Sequence, residues 1–171
     1  MIIDTRKAKL EFFPDCVVKT LKTTTLDDKW FDYYSSLQKN NDLLVKVYDV
    51  KDRKTIIMER LNEETSLEVM LKDKEYLKNL SKFDLIDIVA SFNHAFMCGI
   101  EFSKTISKYF YHTDLHLYNI IFTKEKKIKV IDPDSFQICN GLDHSYRFYQ
   151  SNIFLMHAVQ KHRYINEGAY E

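Results

Sequence analysis

The hydrophobic periodicity of this chain changes near residue 60, and that change limits the folds open to it. Before it, β-favouring segments at 8–13 (AKLEFF), 16–21 (CVVKTL), 43–50 (LLVKVYDV) and 55–61 (TIIMERL) are bounded by the turns at Pro14-Asp15 and at 51–54. They predict a small antiparallel sheet. One helix interrupts it at 25–40, where Thr25 and Asp28 stand in the Ser/Thr-x-x-Asp/Glu arrangement that lets side chains satisfy first-turn amides. The same start signal recurs at Thr65 with Glu68 and at Ser81 with Asp84. After Ser81, the residues Leu85, Ile88, Val89, Phe92 and Phe96 follow a helical stripe. A hairpin (NIIF, TKEKK, IKVID) occupies 119–132, and a last helix covers 145–162. The expected class is α+β, one domain over 1–171 with a sheet-rich lobe at 1–60 and a mostly helical lobe at 61–171.

Composition removes several function classes. Apolar residues make up 45% of the chain, enough for a core, and 25 basic residues balance 25 acidic ones. With no net field and no basic block longer than Lys126-Lys127, neither nucleic acid nor a membrane surface is an expected partner. The cysteines Cys16, Cys98 and Cys139 are odd in number and widely spaced, so they read as reduced thiols rather than disulfides or zinc ligands. The amino terminus lacks a signal-like apolar stretch, and a cytoplasmic location, in its own cell or a host's, is expected.

The chemistry is concentrated in 111–122, YHTDLHLYNIIF, and in IDPDSF at 131–136. Ordinary packed histidines are one reading. A second is a metal hydrolase: if 112–116 were extended, His112, Asp114 and His116 would share a face and could ligate zinc or iron. That reading leaves Asn119 and Asp132 without a role. The third treats 112–136 as one unit. H-T-D-L-H-L-Y-N resembles the catalytic loop of the protein-kinase-like superfamily, and KVIDPDSF resembles its metal-binding segment, with Asp132 in place of the D-F-G aspartate. Upstream, Val17-Val18-Lys19 resembles the V-A-I-K strand, and Met58-Glu59-Arg60-Leu61 resembles the hinge between lobes.

The resemblance runs from about residue 8 to about residue 157. It implies a bilobal fold and ATP- and Mg²⁺-dependent phosphoryl transfer, with Asp114 orienting and deprotonating the acceptor hydroxyl. It also implies Lys19 on the ATP phosphates, His116 donating to the γ-phosphate or bracing the loop, and Asn119 and Asp132 as metal ligands supported by Asp134. Adenine would bond backbone groups at Met58, Glu59 and Leu61, and Asp32 is the best-placed stand-in for the helix glutamate that orients the lysine. H-x-D-L-H-x-x-N is similar to the loop of aminoglycoside and choline kinases.

The departures are specific. No glycine precedes Gly99, so the glycine-rich loop is missing; the turn at 4–7 stands where it belongs, with Arg6 and Lys7 as substitute charges. Pro133 and Asp134 replace the phenylalanine and glycine of D-F-G, and no A-P-E follows. The short remainder resembles compact atypical kinases, including small bacterial effector kinases and the kinase associated with tRNA threonyl-carbamoyl modification. It leaves no room for an added small-molecule acceptor pocket, so a Ser/Thr protein kinase is the first expectation, with a pseudokinase or a small-molecule kinase as alternatives. Phe148, Tyr149, Phe154 and Tyr164 are expected to be exposed and to mark a surface for a protein substrate, an activating partner or a second copy.

Overall fold

The computed structural model describes residues 1–39, 41–61, 65–123 and 125–167. The chain is α+β. Strands β1 (Ile2–Asp4), β2 (Ala8–Phe12), β3 (Cys16–Leu21), β4 (Val47–Lys51) and β5 (Thr55–Glu59) form one antiparallel sheet in the order β1-β2-β3-β5-β4. The period-2 alternation of CVVKTL puts Val17, Lys19 and Leu21 on the buried face of β3. Register places Lys19 opposite Leu10 on one side and Ile56 on the other. A lysine is thereby carried into the interior by the same pattern that buries its apolar neighbours. The short exposed β1 extends the sheet one strand beyond the four segments expected from the sequence.

Helix α1 (Trp30–Gln38) begins later than the Thr25/Asp28 pattern predicts. Asp27 accepts the amide of Lys29, and Asp28 is drawn to Arg53 at 2.8 Å, so neither Thr25 nor Asp28 caps the helix. Trp30, Tyr34 and Leu37 form its buried face. After β5, α2 (Leu67–Lys72) is capped by Ser66 rather than Thr65, and α3 (Lys74–Asn79) follows with Asp73 as its cap. The long α4 (Lys82–Ile106) opens with the expected reciprocal capping box, Ser81 to the amide of Asp84 and Asp84 back to Ser81, each at 3.0 Å.

By length and composition α4 is apolar enough to cross a membrane, but in this fold Leu85, Ile88, Phe92, Ala95 and Phe96 pack into the core. Its Gly99 lies against the next strand, β6 (Tyr109–His112), so closely that a Cβ there would stand 2.8 Å from the Phe110 carbonyl oxygen. Ser103 fastens the same crossing, donating to Gly99 O at 2.6 Å and accepting from the Phe110 amide at 2.8 Å.

The expected hairpin is present as β7 (Ile120–Phe122) and β8 (Ile128–Val130). β8 also bonds the segment leading into β4, through Val45 N to Val130 O at 2.9 Å and Val130 N to Leu43 O at 2.7 Å, which joins the sheet to the helical half. A further pair, β6 with β9 (Phe136–Cys139), was not legible in the sequence. The chain ends in α5 (Tyr146–Glu167). Phe148 is buried, its ring stacked at 4.0 Å on Phe96, so it belongs to the core and not to an exposed surface; Phe154 is half-buried, and Tyr149 and Tyr164 are exposed.

Candidate functional site

Two connections bring the polar residues together. The β6/β9 pair holds the two ends of the segment between His112 and Phe136, and within it the Ile131 amide donates to Asn119 O at 2.9 Å. At the turn after β8, Asp132 adopts a left-handed backbone, φ 65° and ψ 56°, which is uncommon for a residue with a Cβ. The turn is held by Ser135, whose amide donates to Asp132 O at 3.0 Å and whose hydroxyl donates to Asp132 Oδ2 at 2.7 Å. Pro133, with φ fixed by its ring, starts the short 3₁₀ turn Pro133–Ser135 that aims Asp134 the same way.

Lys19 meets both carboxylates. Its Nζ donates to Asp132 Oδ1 and, at 2.5 Å, to Asp134 Oδ1. Burial alone would lower the lysine, but Asp134 and Asp132 outweigh it and hold the ammonium above its ordinary range. Burial would raise both acids. At Asp132 the Lys19 charge wins and the carboxyl is lowered; at Asp134 burial and the neighbouring Asp132 win and it is raised. One cation shared by two acids leaves Asp134 the easier of the two to protonate.

Around this cluster a cavity of about 340 Å³ lies between the sheet and the segment 121–132. Leu10, Phe12, Val17, Val45, Met58, Ile121 and Ile131 supply apolar walls, and Lys19 and Asp132 supply polar groups. Met58, Glu59 and Leu61 also line it. The Glu59 side chain, however, is committed to structure: it accepts from the Lys46 amide at 2.7 Å and meets Lys129 Nζ at 3.2 Å, while the Glu59 amide donates to Lys46 O at 2.8 Å.

Asp114 and Asn119 stand in the loop beyond β6. Asn119 Nδ2 donates one of its two N–H groups to Asp114 O at 3.0 Å, which fixes the side chain through its nitrogen and not through the oxygen that could serve a ligand. The Asp114 carboxylate is 3.1 Å from Arg147 Nε and 3.7 Å from His116 Nε2. His116 Nδ1 accepts the Tyr118 amide at 3.2 Å, a loop brace. His112 is buried with Nε2 at 3.1 Å from Ile131 O, and burial lowers its pKa. Residues 113–114 form a turn, so His112, Asp114 and His116 do not share a strand face, and among the described residues no three His, Cys, Asp or Glu side chains cluster around a metal-sized site.

Asp32 is a correction. Two residues from Trp30 and two from Tyr34, it falls on the outer, exposed side of α1, and Lys19 bonds Asp132 and Asp134 instead. The face of α1 that meets the site is aromatic. Trp30 stacks on Tyr34 at 4.9 Å and donates Nε1 to Phe136 O at 2.7 Å, while Tyr34 donates to Val45 O at 2.8 Å. Trp30, Ser135 and Arg147 are site residues that sequence reasoning missed. The i, i+4, i+7 spacing of Trp30, Tyr34 and Leu37 was the signal that could have revealed the first.

No protein-family model matches the chain, and comparison with the curated proteins gives no match.

Proposed function

We propose that the chain is a minimal ATP- and Mg²⁺-dependent phosphotransferase acting on a hydroxyl of a protein. The observation that supports this best is Lys19, a buried strand lysine at 2.5 Å from Asp134 and bonded to Asp132, at the polar end of an apolar cleft about 340 Å³ in volume. A nucleobase fits the apolar walls, and Lys19 and the acids fit a phosphate chain with its metal.

Asp132, Asp134 and the Asn119 side-chain oxygen are hard oxygen donors, the set Mg²⁺ takes when phosphates and water complete its shell. When bound, Mg²⁺ neutralises phosphate oxygens around the transferred group. With nucleotide and metal bound, Lys19 would exchange one of its two carboxylates for phosphate oxygen, Asn119 would offer its side-chain oxygen as a ligand, and Asp114 would hold the acceptor hydroxyl and take its proton. Among the described residues that line the groove beside Asp114, Glu68 is the one carboxylate, and it is paired with Lys72 at 2.7 Å. That favours a protein acceptor over a polycationic small molecule.

The test is incubation with labelled ATP and Mg²⁺, wild type against Asp114→Ala, with nucleotide binding measured on both. Label transfer by the wild type, and its loss in a variant that still binds nucleotide, is the expected result; equal transfer or equal silence sinks the catalytic reading. A pseudokinase is the second reading, favoured by the glycine-free connection at 5–7 between β1 and β2, where no backbone can close tightly over phosphates. It predicts nucleotide binding with silence in both variants.

A further inference from the structure

Helices α4 and α5 pack antiparallel. Phe148 stacks on Phe96 at 4.0 Å, Asn93 Nδ2 donates to Asn152 Oδ1 at 3.1 Å, and His162 Nε2 meets Leu80 O at 2.8 Å. Besides the stripe it buries, each helix carries a second one. On α4 it runs through Phe83, Ile86, Ala90, Asn93 and Met97, and on α5 through Tyr149, Ile153, Met156 and Gln160, at alternating intervals of three and four residues. That spacing keeps a stripe on one side of a helix and lets its side chains fit between those of a facing helix. Asn93 belongs to the first stripe, and its partner Asn152 lies beside Ile153 and one turn from Tyr149 and Met156, so both stripes border a single groove on the outside of the helix pair.

The groove is apolar, broad and uncharged. Phe83, Ile86, Met97, Tyr149, Ile153 and Met156 are between 44% and 78% exposed. Together they present about 700 Å² of side-chain surface, above the roughly 300–600 Å² of the largest patch on an ordinary monomer. Two such faces in contact bury about 1,400 Å², inside the roughly 1,200–2,000 Å² of a stable interface. None of the nine stripe positions is charged, although 29% of the chain is, so the face meets its own image without opposing like charges. The same lack of cations suits it poorly to an anionic lipid surface. Its polar floor is already engaged: Asn93 Nδ2 also donates to Val89 O at 2.8 Å, and Asn152 Nδ2 donates to Phe148 O at 3.3 Å, so both amide nitrogens keep a partner when water leaves.

We propose that this face binds a second copy of the chain. A two-fold axis through the groove sets α4 and α5 of one copy against α4 and α5 of the other, a four-helix layer in which every apolar stripe meets another of the same kind. Arg147 and Phe154, which line the groove beside Asp114, lie on the other side of α5, so the dimer leaves that groove open in each copy. The pairing holds whatever chemistry the Lys19 site performs.

The test is size-exclusion chromatography with light scattering on the full chain, loaded over a range of micromolar concentrations. The wild type runs at twice the mass of one chain. Met97→Asp on α4 and Ile153→Asp on α5, both at exposed positions, each weaken the dimer at least about tenfold while circular dichroism stays unchanged. Met156→Gln, which keeps the side-chain length and the helix propensity, shifts the equilibrium the same way. Val69→Asp, at an exposed apolar position in the first turn of α2 and off this face, leaves the dimer intact. A wild type that stays monomeric throughout overturns the proposal, and binding of that monomer to phosphatidylcholine vesicles would assign the face to lipid instead. A dimer whose mass is unmoved by both Met97→Asp and Ile153→Asp overturns it equally. A chain that dimerises through this face but transfers no phosphate loses the kinase reading alone.

Discussion

The ammonium of Lys19 and the carboxylate of Asp132, 113 residues apart in the chain, are bonded to each other, and Asp134 completes the same contact at 2.5 Å. One cation answers two largely buried acids. Lys19→Met leaves those acids facing each other without compensation, so it destabilises by about 2–4 kcal/mol, below the full cost of a buried unpaired charge because Asp132 keeps 30% exposure. Asp134→Asn in the Lys19→Met background restores part of the loss by removing the repulsion. Urea unfolding checks both; an unchanged midpoint for Lys19→Met would show that the cluster carries no net charge coupling.

Gly99 marks a close crossing in the core. An added methyl meets Phe110 O at 2.8 Å and Tyr111 Cα at 2.9 Å, both backbone atoms that cannot swing aside. Gly99→Ala therefore costs about 1–3 kcal/mol despite the better helix propensity of alanine. A thermal melt in which Gly99→Ala gains stability would contradict the close approach of α4 to β6.

Trp30 is the one tryptophan in the chain, and its Nε1 donates to Phe136 O at 2.7 Å from a buried ring. Trp30→Phe keeps an aromatic face for Tyr34 but strands that carbonyl, a loss of about 1–3 kcal/mol. In the wild type, tryptophan fluorescence reports the junction between α1 and β9 directly. Its unfolding transition should coincide with far-ultraviolet circular dichroism; separate midpoints would mean that the junction opens on its own.

Asp84 links pH to the start of α4. Its hydrogen bond to Lys126 and those with Ser81 lower its carboxyl from the ordinary 3.8 to about 2. A group depressed in the folded chain stabilises above its unfolded value and loses that contribution as pH falls through its folded one. Asp84→Asn is thus less stable than the wild type at neutral pH, and the gap closes as pH drops from 3.8 toward about 2. A gap that persists below that window would place the effect in packing rather than charge.

Local rules carried much of the fold. CVVKTL became β3 over Cys16–Leu21 without adjustment, because strand alternation is a property of neighbouring residues, and Ser81 with Asp84 formed its capping box because both partners lie within one turn. The hairpin β7/β8 was equally local. The Thr25/Asp28 signal failed because Arg53, a residue beyond the helix, drew Asp28 away. The β6/β9 pair was hidden because its strands are short and their partners are separated by the whole polar segment.

The site divides along the same line. The order of Lys19, Asp114, Asn119 and Asp132, and the residue types able to handle phosphate and a hard cation, belong to the linear chain. Their contacts do not. Asp132 reaches Lys19 because of a left-handed turn held by Ser135, Asp32 is excluded because helical rotation turns Trp30 and Tyr34 inward, and Arg147 reaches Asp114 because α5 packs through Phe148 on α4. Short-range hydrogen bonding and side-chain alternation are encoded within a few residues. Which charge meets which across more than a hundred residues is decided only when burial of the core fixes the elements against one another.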